Sequence, residues 1–418
     1  MNDSATSRRE SVLRSERWPA AQRIHVHDNS GHPFQVQLSR ALAARGHEVL
    51  HTYMATFESP KGRLQREPGD PPTLRIEGLD LGRPFPKYSY YRRWRQEREY
   101  GRALAALLER ERPDVFLAAN TPLDMLAVAQ RVCARLGIRF VFWVQDLYGY
   151  AVSQILGAKY GLAGRVVGAW YRHKERVLLA AADHAIQITE DFRPFLEEAG
   201  LTAGNITTIP NWAPLDELPL RDKSNAWSRA HDLDDRFVFL YSGTMGLKHN
   251  PKLLLELAQA FRDDAQVRIV VVSEGLGADW LREAVAAAGL TNVLLLPFQP
   301  FEAMPDVLGG ANVLVAMLED SAGVFSVPSK ILTYLCSGRP ILLAAPMQNQ
   351  AVKLIAETGS GRCCASGEPE KFIGLAKKMR NDLVLVEELG KSARAAAESR
   401  FAMVRTSRQF EEALVPSP

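Results

Sequence analysis

A lysine stands in the first turn of a predicted helix, where a chain ordinarily favours an acidic residue. The stretch GVFSVPSKILTYLCSGRPILL, residues 323–343, predicts a loop, a short helix and a buried strand. Pro328 suits the first helical position, and at Lys330 the helix dipole disfavours a cation by about 0.3–1 kcal/mol. A bound anion would reverse that preference. Backbone N–H groups, the Ser329 hydroxyl and the Lys330 ammonium would together form a diphosphate cradle, whereas a solvated lysine is the alternative.

A second strand-to-helix loop offers similar chemistry. In LYSGTMGLKHNPKLLLELAQAF, residues 240–261, a strand ends in a glycine loop and an amphipathic helix follows. Gly243, Thr244 and Gly246 let backbone amides approach a phosphate, and Lys248 adds a positive charge. The loop lacks the GK[ST] ending of a Walker A motif.

Two acidic residues also follow predicted strands. Asp146 ends the strand of FWVQDLYGY, residues 142–150, where it could take a proton, hold a sugar hydroxyl or cap the next helix. Glu274 ends the strand of VVSEGLG, residues 271–277. Its carboxylate could accept hydrogen bonds from ribose hydroxyls or cap the helix that follows.

The first predicted βαβ unit, residues 25–50, contains a polar loop between its strand and its helix. The loop consists of Asn29, Ser30, Gly31 and His32. It is either an ordinary tight turn or a place where backbone amides meet a phosphate, and His32 could act as an acid, base or phosphate contact. The unit lacks GxGxxG, which disfavours a nicotinamide cofactor. His25 and His27 share a strand face and are interpreted as packed, hydrogen-bonded histidines rather than a metal pair.

The elements that position these residues alternate regularly along the chain. Short runs that are apolar on both faces are separated by helix-period segments, as in parallel sheets covered by helices. The predicted strands are 23–27, 48–53, 114–119, 139–145, 184–189, 206–210, 236–243, 267–274, 293–298, 313–318 and 340–345. The pattern predicts an α/β chain with two Rossmann-like, doubly wound parallel-sheet domains that face each other across a cleft. A flexible tail is expected over residues 1–20.

Composition excludes several classes of protein. The chain has 418 residues and a net charge of +3, too small to indicate nucleic-acid binding. Its four cysteines form no CxxC pair, there is no HExxH motif, and DLD at 232–234 is interpreted as a solvated turn rather than a metal site. No metal is therefore expected. No apolar run approaches the roughly 18 residues of a membrane span, and a cytoplasmic protein is expected.

Two segments mix basic and aromatic residues. Residues 87–112 and 161–182 each contain several arginines, at least one tyrosine and one tryptophan around an amphipathic pattern. Such segments can lie on an anionic membrane surface such as the inner leaflet, or they can be core helices whose arginines extend to water. The sequence leaves both readings open.

Five stretches of the sequence occur in the order found in a known enzyme family. VPSKILTYLCSGRP, ARGHEV, WVQDLY, TTIPNW and the glycine loop with Lys248 resemble those of the family 4 retaining glycosyltransferases of the GT-B fold. The resemblance spans about residues 22–412 and is greatest to the branch that builds bacterial colanic acid and O-antigen. It implies an N-terminal acceptor domain over residues 21–213 and a C-terminal nucleotide-sugar domain over residues 214–397. A closing helix within 398–418 would cross back to the N-terminal domain.

The resemblance also implies roles for individual residues. Lys330 and Lys248 would lie beside the donor diphosphate and, with Asp146, form the catalytic set without a metal. The implied donor contacts are Gly243, Thr244, Gly246, Glu274, Phe298, Gln299, Val324, Phe325, Ser326, Ser329 and Thr333. Among them the serines would meet phosphate and Phe298 and Gln299 the base. Asn29, Ser30, Gly31 and His32 would lie on the acceptor side.

One feature departs from the family pattern. Many members carry two glutamates eight positions apart, of which one contacts the sugar and the other the ribose. Phe325 and Thr333 occupy those positions here, so ribose contact would come from the Thr333 hydroxyl or from Glu274.

The resemblance thus implies transfer of a sugar from a nucleotide donor, UDP-linked, to a hydroxyl of a lipid-linked glycan. A sugar-nucleotide epimerase on the same fold is one alternative. A non-catalytic scaffold subunit is another, favoured by the missing glutamates and opposed by the retained lysines. A nicotinamide oxidoreductase is disfavoured by the missing glycine fingerprint.

Overall fold

The computed structural model describes residues 21–57, 61–83, 85, 90–245, 250–319 and 329–415. The chain divides into two compact units. The N-terminal unit comprises Met1–Pro210 and Met403–Pro418, and the C-terminal unit comprises Asn211–Ala402. The flexible tail expected over residues 1–20 lies outside the described residues.

The N-terminal unit is built on a parallel sheet. Its first elements are β1 (Arg23–Asp28), α1 (Pro33–Ala44), β2 (Glu48–Met54), β3 (Leu74–Leu79), α2 (Tyr90–Glu111), β4 (Val115–Ala119), α3 (Leu123–Leu136), β5 (Arg139–Val144), α4 (Tyr148–Ala180), β6 (His184–Gln187), α5 (Arg193–Glu198) and β7 (Ile206–Thr208). In the described residues the sheet has seven strands in the order β3-β2-β1-β4-β5-β6-β7. The order reverses between β1 and β4, so the carboxyl ends of these two strands form the switch point where ligands of such sheets bind.

The C-terminal unit repeats this architecture. Its elements are α6 (Ala226–Ala230), β8 (Phe237–Ser242), α7 (Pro251–Ala260), β9 (Val267–Val272), α8 (Leu276–Ala287), β10 (Val293–Leu296), α9 (Met304–Gly309), β11 (Val313–Met317), α10 (Ser329–Cys336), β12 (Ile341–Ala344), α11 (Gln350–Thr358), β13 (Gly361–Cys364), α12 (Pro369–Asn381) and α13 (Leu383–Arg400). Within the described part the strand order is β10-β9-β8-β11-β12-β13, all parallel, with a switch point between β8 and β11. The prediction of two doubly wound parallel-sheet domains is confirmed.

The strands of the C-terminal unit are apolar on both faces because both faces are covered. Val238 and Leu240 pack into one buried cluster, and Phe239 and Tyr241 pack into another on the opposite side of β8. Alternate side chains of a strand point to opposite faces, so the continuous apolar run is what a strand between two helix layers requires.

Two strands were missed by the sequence pattern. β3 is an edge strand whose residues are mostly half-exposed or exposed, and β13 contains only Gly361–Cys364. An edge strand of a parallel sheet has less apolar surface to bury, so its sequence lacks the apolar run that marks the central strands.

Helix α14 (Met403–Leu414) belongs to the N-terminal unit although it lies at the far end of the chain. The buried Glu411 carboxylate forms an ion pair with Arg45, and His47 Nε2 lies 2.9 Å from Glu411 Oε1. Trp143 of β5 makes an edge-on contact with Phe410, with 4.6 Å between ring centroids. Charge and apolar contacts together fix this helix to the sheet.

Helix α4 is two antiparallel limbs rather than one rod. At Gly161 the backbone leaves the helical region, with φ 56° and ψ −128°. A Cβ on Gly149 would lie 2.8 Å from the Tyr171 carbonyl oxygen, and one on Gly168 would lie 2.5 Å from Ser153 Cα. The limbs therefore pack through backbone that only glycine permits, and we call this element the α4 hairpin. No helix in the described residues is long and apolar enough to span a bilayer.

Candidate functional site

Lys330 lies at the start of α10, beside the loop that follows β8. Its Nζ is buried and forms no hydrogen bond within the described residues, and it lies 3.7 Å from the centroid of the Tyr241 ring. Burial lowers the pKa of this ammonium to about 7. The cation thus lies on an aromatic face and has no anionic partner among the residues that the structure describes, an arrangement that an anionic ligand would complete.

Gly243 is what allows the lysine to lie there. Its φ of 131° is in the region that favours glycine, and an added Cβ would lie 2.8 Å from Lys330 Cε and 2.9 Å from Nζ. The loop backbone and the lysine stem are therefore in direct contact. Any side chain at Gly243 would have to displace the lysine.

Tyr334, one turn further along α10, fixes the helix to the sheet. Its hydroxyl accepts the Ser242 N–H at 2.9 Å and donates to the Ser242 carbonyl at 3.1 Å, with the Val315 carbonyl at 3.3 Å. Because Ser242 ends β8 and Val315 belongs to β11, Tyr334 binds both sides of the switch point. Lys330 is thereby carried on a rigid element.

The ends of β8, β9 and β10 bring several predicted donor contacts together. The Met245 N–H donates to the Glu274 carbonyl at 3.4 Å, and the Phe298 N–H donates to Glu274 Oε1 at 3.2 Å. Glu274 is exposed and Phe298 is 46% exposed. Gln299 Oε1 accepts the Trp227 indole N–H at 3.2 Å. A carboxylate and an open aromatic face are thus available at one edge of this sheet.

Of the other predicted donor contacts, some are described by the structure and some lie outside the described residues. Thr244 is exposed and its carbonyl accepts the Tyr241 hydroxyl at 2.9 Å, while Thr333 is half-buried in α10. Outside the described residues lie Gly246, Lys248, Val324, Phe325 and Ser326, together with the side chain of Ser329. The roles assigned to them stay predictions.

In the N-terminal unit the loop after β1 is organised by Asp28, which sequence reasoning missed. Its Oδ1 accepts the Ser30 hydroxyl at 3.0 Å and the Asn120 Nδ2 at 3.1 Å, and its Oδ2 accepts the His32 N–H. Burial raises the pKa of this carboxyl to about 6, and the hydrogen bonds oppose that rise. The available signal was an aspartate at a strand end immediately before an Asn-Ser-Gly turn.

The same loop joins the two strands at the switch point. Asn120, just after β4, has a φ of 47°, which is uncommon for a residue other than glycine. The Gly31 carbonyl accepts the Gly62 N–H at 2.8 Å, and the Asn29 carbonyl accepts the Met54 N–H at 3.3 Å. The His32 ring stacks on Phe34 at 5.1 Å, and burial lowers its pKa. The four predicted acceptor-side residues are thus held in one fixed loop.

Asp146 is exposed at the end of β5, directly before the α4 hairpin. The carboxylate that accepts the first N–H groups of the hairpin, from Tyr148, Gly149 and Tyr150, belongs to Glu175 of the second limb. Burial raises the pKa of Glu175 to about 7, and the charge of Asp146 contributes to that rise. The two carboxyl groups therefore influence one another at this sheet edge.

The strand histidines are packed as the sequence analysis favoured. His25 Nε2 and His27 Nδ1 lie 2.7 and 2.9 Å from the Thr52 hydroxyl, and burial lowers the pKa of His27 to about 3. Across the described ranges no group of three histidine, cysteine or acidic side chains is placed to hold a metal ion.

Comparison with family models assigns most of the chain. Residues 31–212 match the glycosyl transferase 4-like domain, and residues 223–396 match the glycosyl transferases group 1 domain. The two matches coincide closely with the two units. The first begins at Gly31, three residues after Asp28, and includes Asn120, and the second includes Lys330.

Individual relatives agree with these matches. The colanic acid biosynthesis glycosyl transferase WcaI of Escherichia coli is 26% identical over 72% of this chain and 74% of its own length. The glycosyltransferase WbjE of Pseudomonas aeruginosa is 21% identical over 62% of this chain and 64% of its length. The crystal structure of HepE from Anabaena, in complex with UDP and glucose, superposes with a TM-score of 0.69 at 16% identity. It covers 94% of this chain and 99% of that one.

Proposed function

Since this chain is a family 4 glycosyltransferase of the GT-B fold, we propose that it transfers a sugar, with retention, from a UDP-sugar to a lipid-linked glycan. The observation that carries the donor half of this proposal is the buried Nζ of Lys330. This cation lies at a helix start, on a glycine loop, with no hydrogen-bond partner in the described residues.

Lys330 would stabilise the leaving diphosphate. Its pKa of about 7 leaves much of the population neutral in the free protein, and an adjacent diphosphate would draw a proton onto it. Charge develops on the diphosphate as the bond to the sugar breaks, so a fixed cation there lowers the barrier. The backbone N–H groups at the start of α10 would also stabilise the negative charge of the diphosphate. With Lys248 as a second cation, this set would neutralise the leaving group without a metal ion.

The nucleoside would lie along the ends of β9 and β10. Glu274 presents an exposed carboxylate that can accept hydrogen bonds from ribose hydroxyls, and it is held by the Phe298 N–H. The exposed face of Phe298 offers a surface for stacking a base. HepE was solved with UDP and glucose, which supports uracil as the base to test first.

The acceptor would be held by the N-terminal unit. The loop Asn29–His32 stands at the switch point of the sheet and is fixed by Asp28, and Asp146 is exposed two strands away. Asp146 can hold a sugar hydroxyl or accept its proton. Similarity to a colanic acid enzyme supports a growing surface polysaccharide, whose lipid carrier would bring the reaction to the inner face of the cell membrane.

Calorimetry on the purified chain in EDTA tests the donor half. We expect UDP to bind more tightly than GDP, dTDP or ADP, and we expect Lys330→Met to weaken UDP binding at least tenfold, equivalent to about 1.4 kcal/mol. Lys377→Met, on the exposed face of α12, is the matched control. Binding that requires added Mg²⁺ would reject the metal-free proposal. Absence of binding by all four nucleotides would favour the non-catalytic scaffold.

A further inference from the structure

The α4 hairpin exposes an unusual amount of apolar surface. On its second limb Leu162, Val166, Trp170 and Val177 are 78, 65, 45 and 51% exposed. Their spacing of four, four and seven residues places them on one face of the helix. Ile155 of the first limb is a further 61% exposed. We call the four side chains of the second limb the apolar stripe.

A row of arginines runs beside the apolar stripe. Arg165, Arg172 and Arg176 are exposed. Two of them directly precede residues of the apolar stripe, and Arg172 follows Trp170 by two residues. None of the three forms an ion pair with any described residue, and Arg176 approaches only His173 Nδ1, at 3.4 Å. Arg165 and Arg172 also line an open cavity of about 340 Å³ with Tyr150 and Gln154.

The other basic and aromatic segment, residues 87–112, differs from the hairpin in the burial of its apolar side chains. In α2 the side chains of Tyr100, Leu104 and Leu108 are buried in the core. Its Arg93 and Arg110 form ion pairs with glutamates of the same helix. Helix α2 also carries exposed arginines, among them Arg92 and Arg95, but of its large apolar side chains only Tyr91 is exposed within the described residues. The structure thus separates two segments that look alike in sequence, because the hairpin places several exposed apolar side chains beside its exposed arginines.

We propose that the apolar stripe and its arginines dock the protein on an anionic lipid bilayer. Apolar side chains can enter the boundary between headgroups and acyl chains while guanidinium groups meet lipid phosphates. A second copy of the chain is a poorer occupant, since a two-fold contact would add a second row of arginines to the first and supply no anionic surface of lipid phosphates. The inference rests on the proposed function, in which the acceptor is carried by a membrane lipid.

The docking surface is rigidly joined to the loop that ends in Asp146. Glu175 accepts the N–H groups of Tyr148, Gly149 and Tyr150, and the neighbouring Lys174 forms an ion pair with Asp124 of α3. One element therefore carries the bilayer contact on its outside and begins two residues after the proposed acceptor contact. Docking would set the height of Asp146 above the membrane.

Co-sedimentation of the full chain with vesicles tests the proposal. We expect binding to vesicles of phosphatidylcholine and phosphatidylglycerol, weak binding to phosphatidylcholine alone, and release by salt. The double variants Leu162→Ser with Val166→Ser, and Arg165→Gln with Arg172→Gln, should each lose about tenfold or more in affinity. The control is Leu383→Ser with Val384→Ser on α13, where the side chains are 61 and 68% exposed.

UDP binding is measured on the same samples. Retained UDP binding shows that a variant is folded and separates failure of docking from failure of the proposed donor site. Equal binding to neutral and anionic vesicles, or hairpin variants that bind as the wild type does, would overturn the proposal. So would a dimer that forms without lipid and is abolished by the Leu162 and Val166 variant, because the surface would then be a self-interface.

Discussion

Lys330 Nζ lies over the ring of Tyr241, 3.7 Å from its centroid, while Gly243 brings backbone against the same side chain. Burial disfavours the charged lysine, and the ring face favours it. Burial lowers the pKa of this ammonium to about 7. A group balanced in this way changes its protonation when a charged ligand arrives, and the change is measurable.

UDP affinity should therefore fall as pH rises above about 7. The free protein has a Lys330 pKa of about 7, and the diphosphate raises that pKa in the complex. Between the two pKa values the complex holds the extra proton, so affinity decreases by up to about tenfold per pH unit. Calorimetry from about pH 7.5 to about pH 9, where the UDP phosphate is fully ionised, should report proton uptake. In Lys330→Met the slope should vanish, and an unchanged slope there would assign it to another group.

Gly243→Ala should weaken UDP binding without unfolding the chain. The new Cβ would push Lys330 away from the loop, and the backbone would be strained at a φ of 131°. We expect at least a tenfold loss of affinity. Gly200→Ala is the matched control, because Gly200 has a φ of 103°, which also disfavours a side chain, but no atom lies within 4 Å of its added Cβ. Equal effects of the two substitutions on UDP binding would mean that strain alone, and not displacement of the lysine, is responsible.

Asp28 should make stability depend on pH in a distinctive direction. Its folded pKa of about 6 exceeds the ordinary value of 3.8, so its contribution is complete below about pH 4 and is lost as pH rises through 6. Asp28→Asn stays neutral but cannot accept the His32 N–H as well. Relative to wild type, this variant should be less stable in acid and gain up to about 3 kcal/mol by neutral pH.

Urea unfolding at about pH 4.5 and about pH 7.5 measures that difference. Asp80→Asn, which alters an exposed loop carboxylate that accepts the Gly82 N–H, is the control. A stability difference between wild type and Asp28→Asn that is the same at both pH values would contradict the raised pKa.

Glu411→Ala should destabilise the N-terminal unit strongly. The substitution leaves the buried Arg45 guanidinium without its carboxylate, and removal of one partner from a buried ion pair costs about 3–5 kcal/mol. His47 Nδ1 accepts the Gln22 N–H at 3.2 Å, so the Nε2 proton that faces Glu411 would also lose its acceptor.

Glu412, the next residue along the chain, provides the control for the Glu411→Ala prediction. Glu412 pairs with Arg408 at 3.4 Å on an exposed face, with side chains 67 and 55% exposed, and Glu412→Ala should cost less than about 1 kcal/mol. Chemical unfolding, monitored by circular dichroism, measures the free energy of unfolding of the two variants. Similar losses for both variants would show that the Arg45–Glu411 pair adds little.

Local pattern predicted a good deal of this molecule. The apolar runs located most strands of both sheets, and strand-end residues such as Gly243 and Glu274 do lie at the carboxyl edge of a parallel sheet. What the pattern could not supply were relations between residues far apart in sequence. Asp28 meets Asn120 only because β1 pairs with β4, and Glu175 reaches Tyr148 only because the chain folds back at Gly161. The helical period continues through that glycine, so periodicity alone predicts no turn.

The placement of α14 has a consequence for synthesis. The N-terminal unit lacks this helix, with its Glu411 and Phe410 contacts, until all of Asn211–Ala402 has been made. At about 5–20 residues per second, the β5 surface that α14 covers waits on the order of 10 to 40 s on the ribosome. During that interval Trp143 lacks its contact with Phe410 and Arg45 lacks its ion pair with Glu411, so this surface of the nascent unit stays uncovered until α14 has been made.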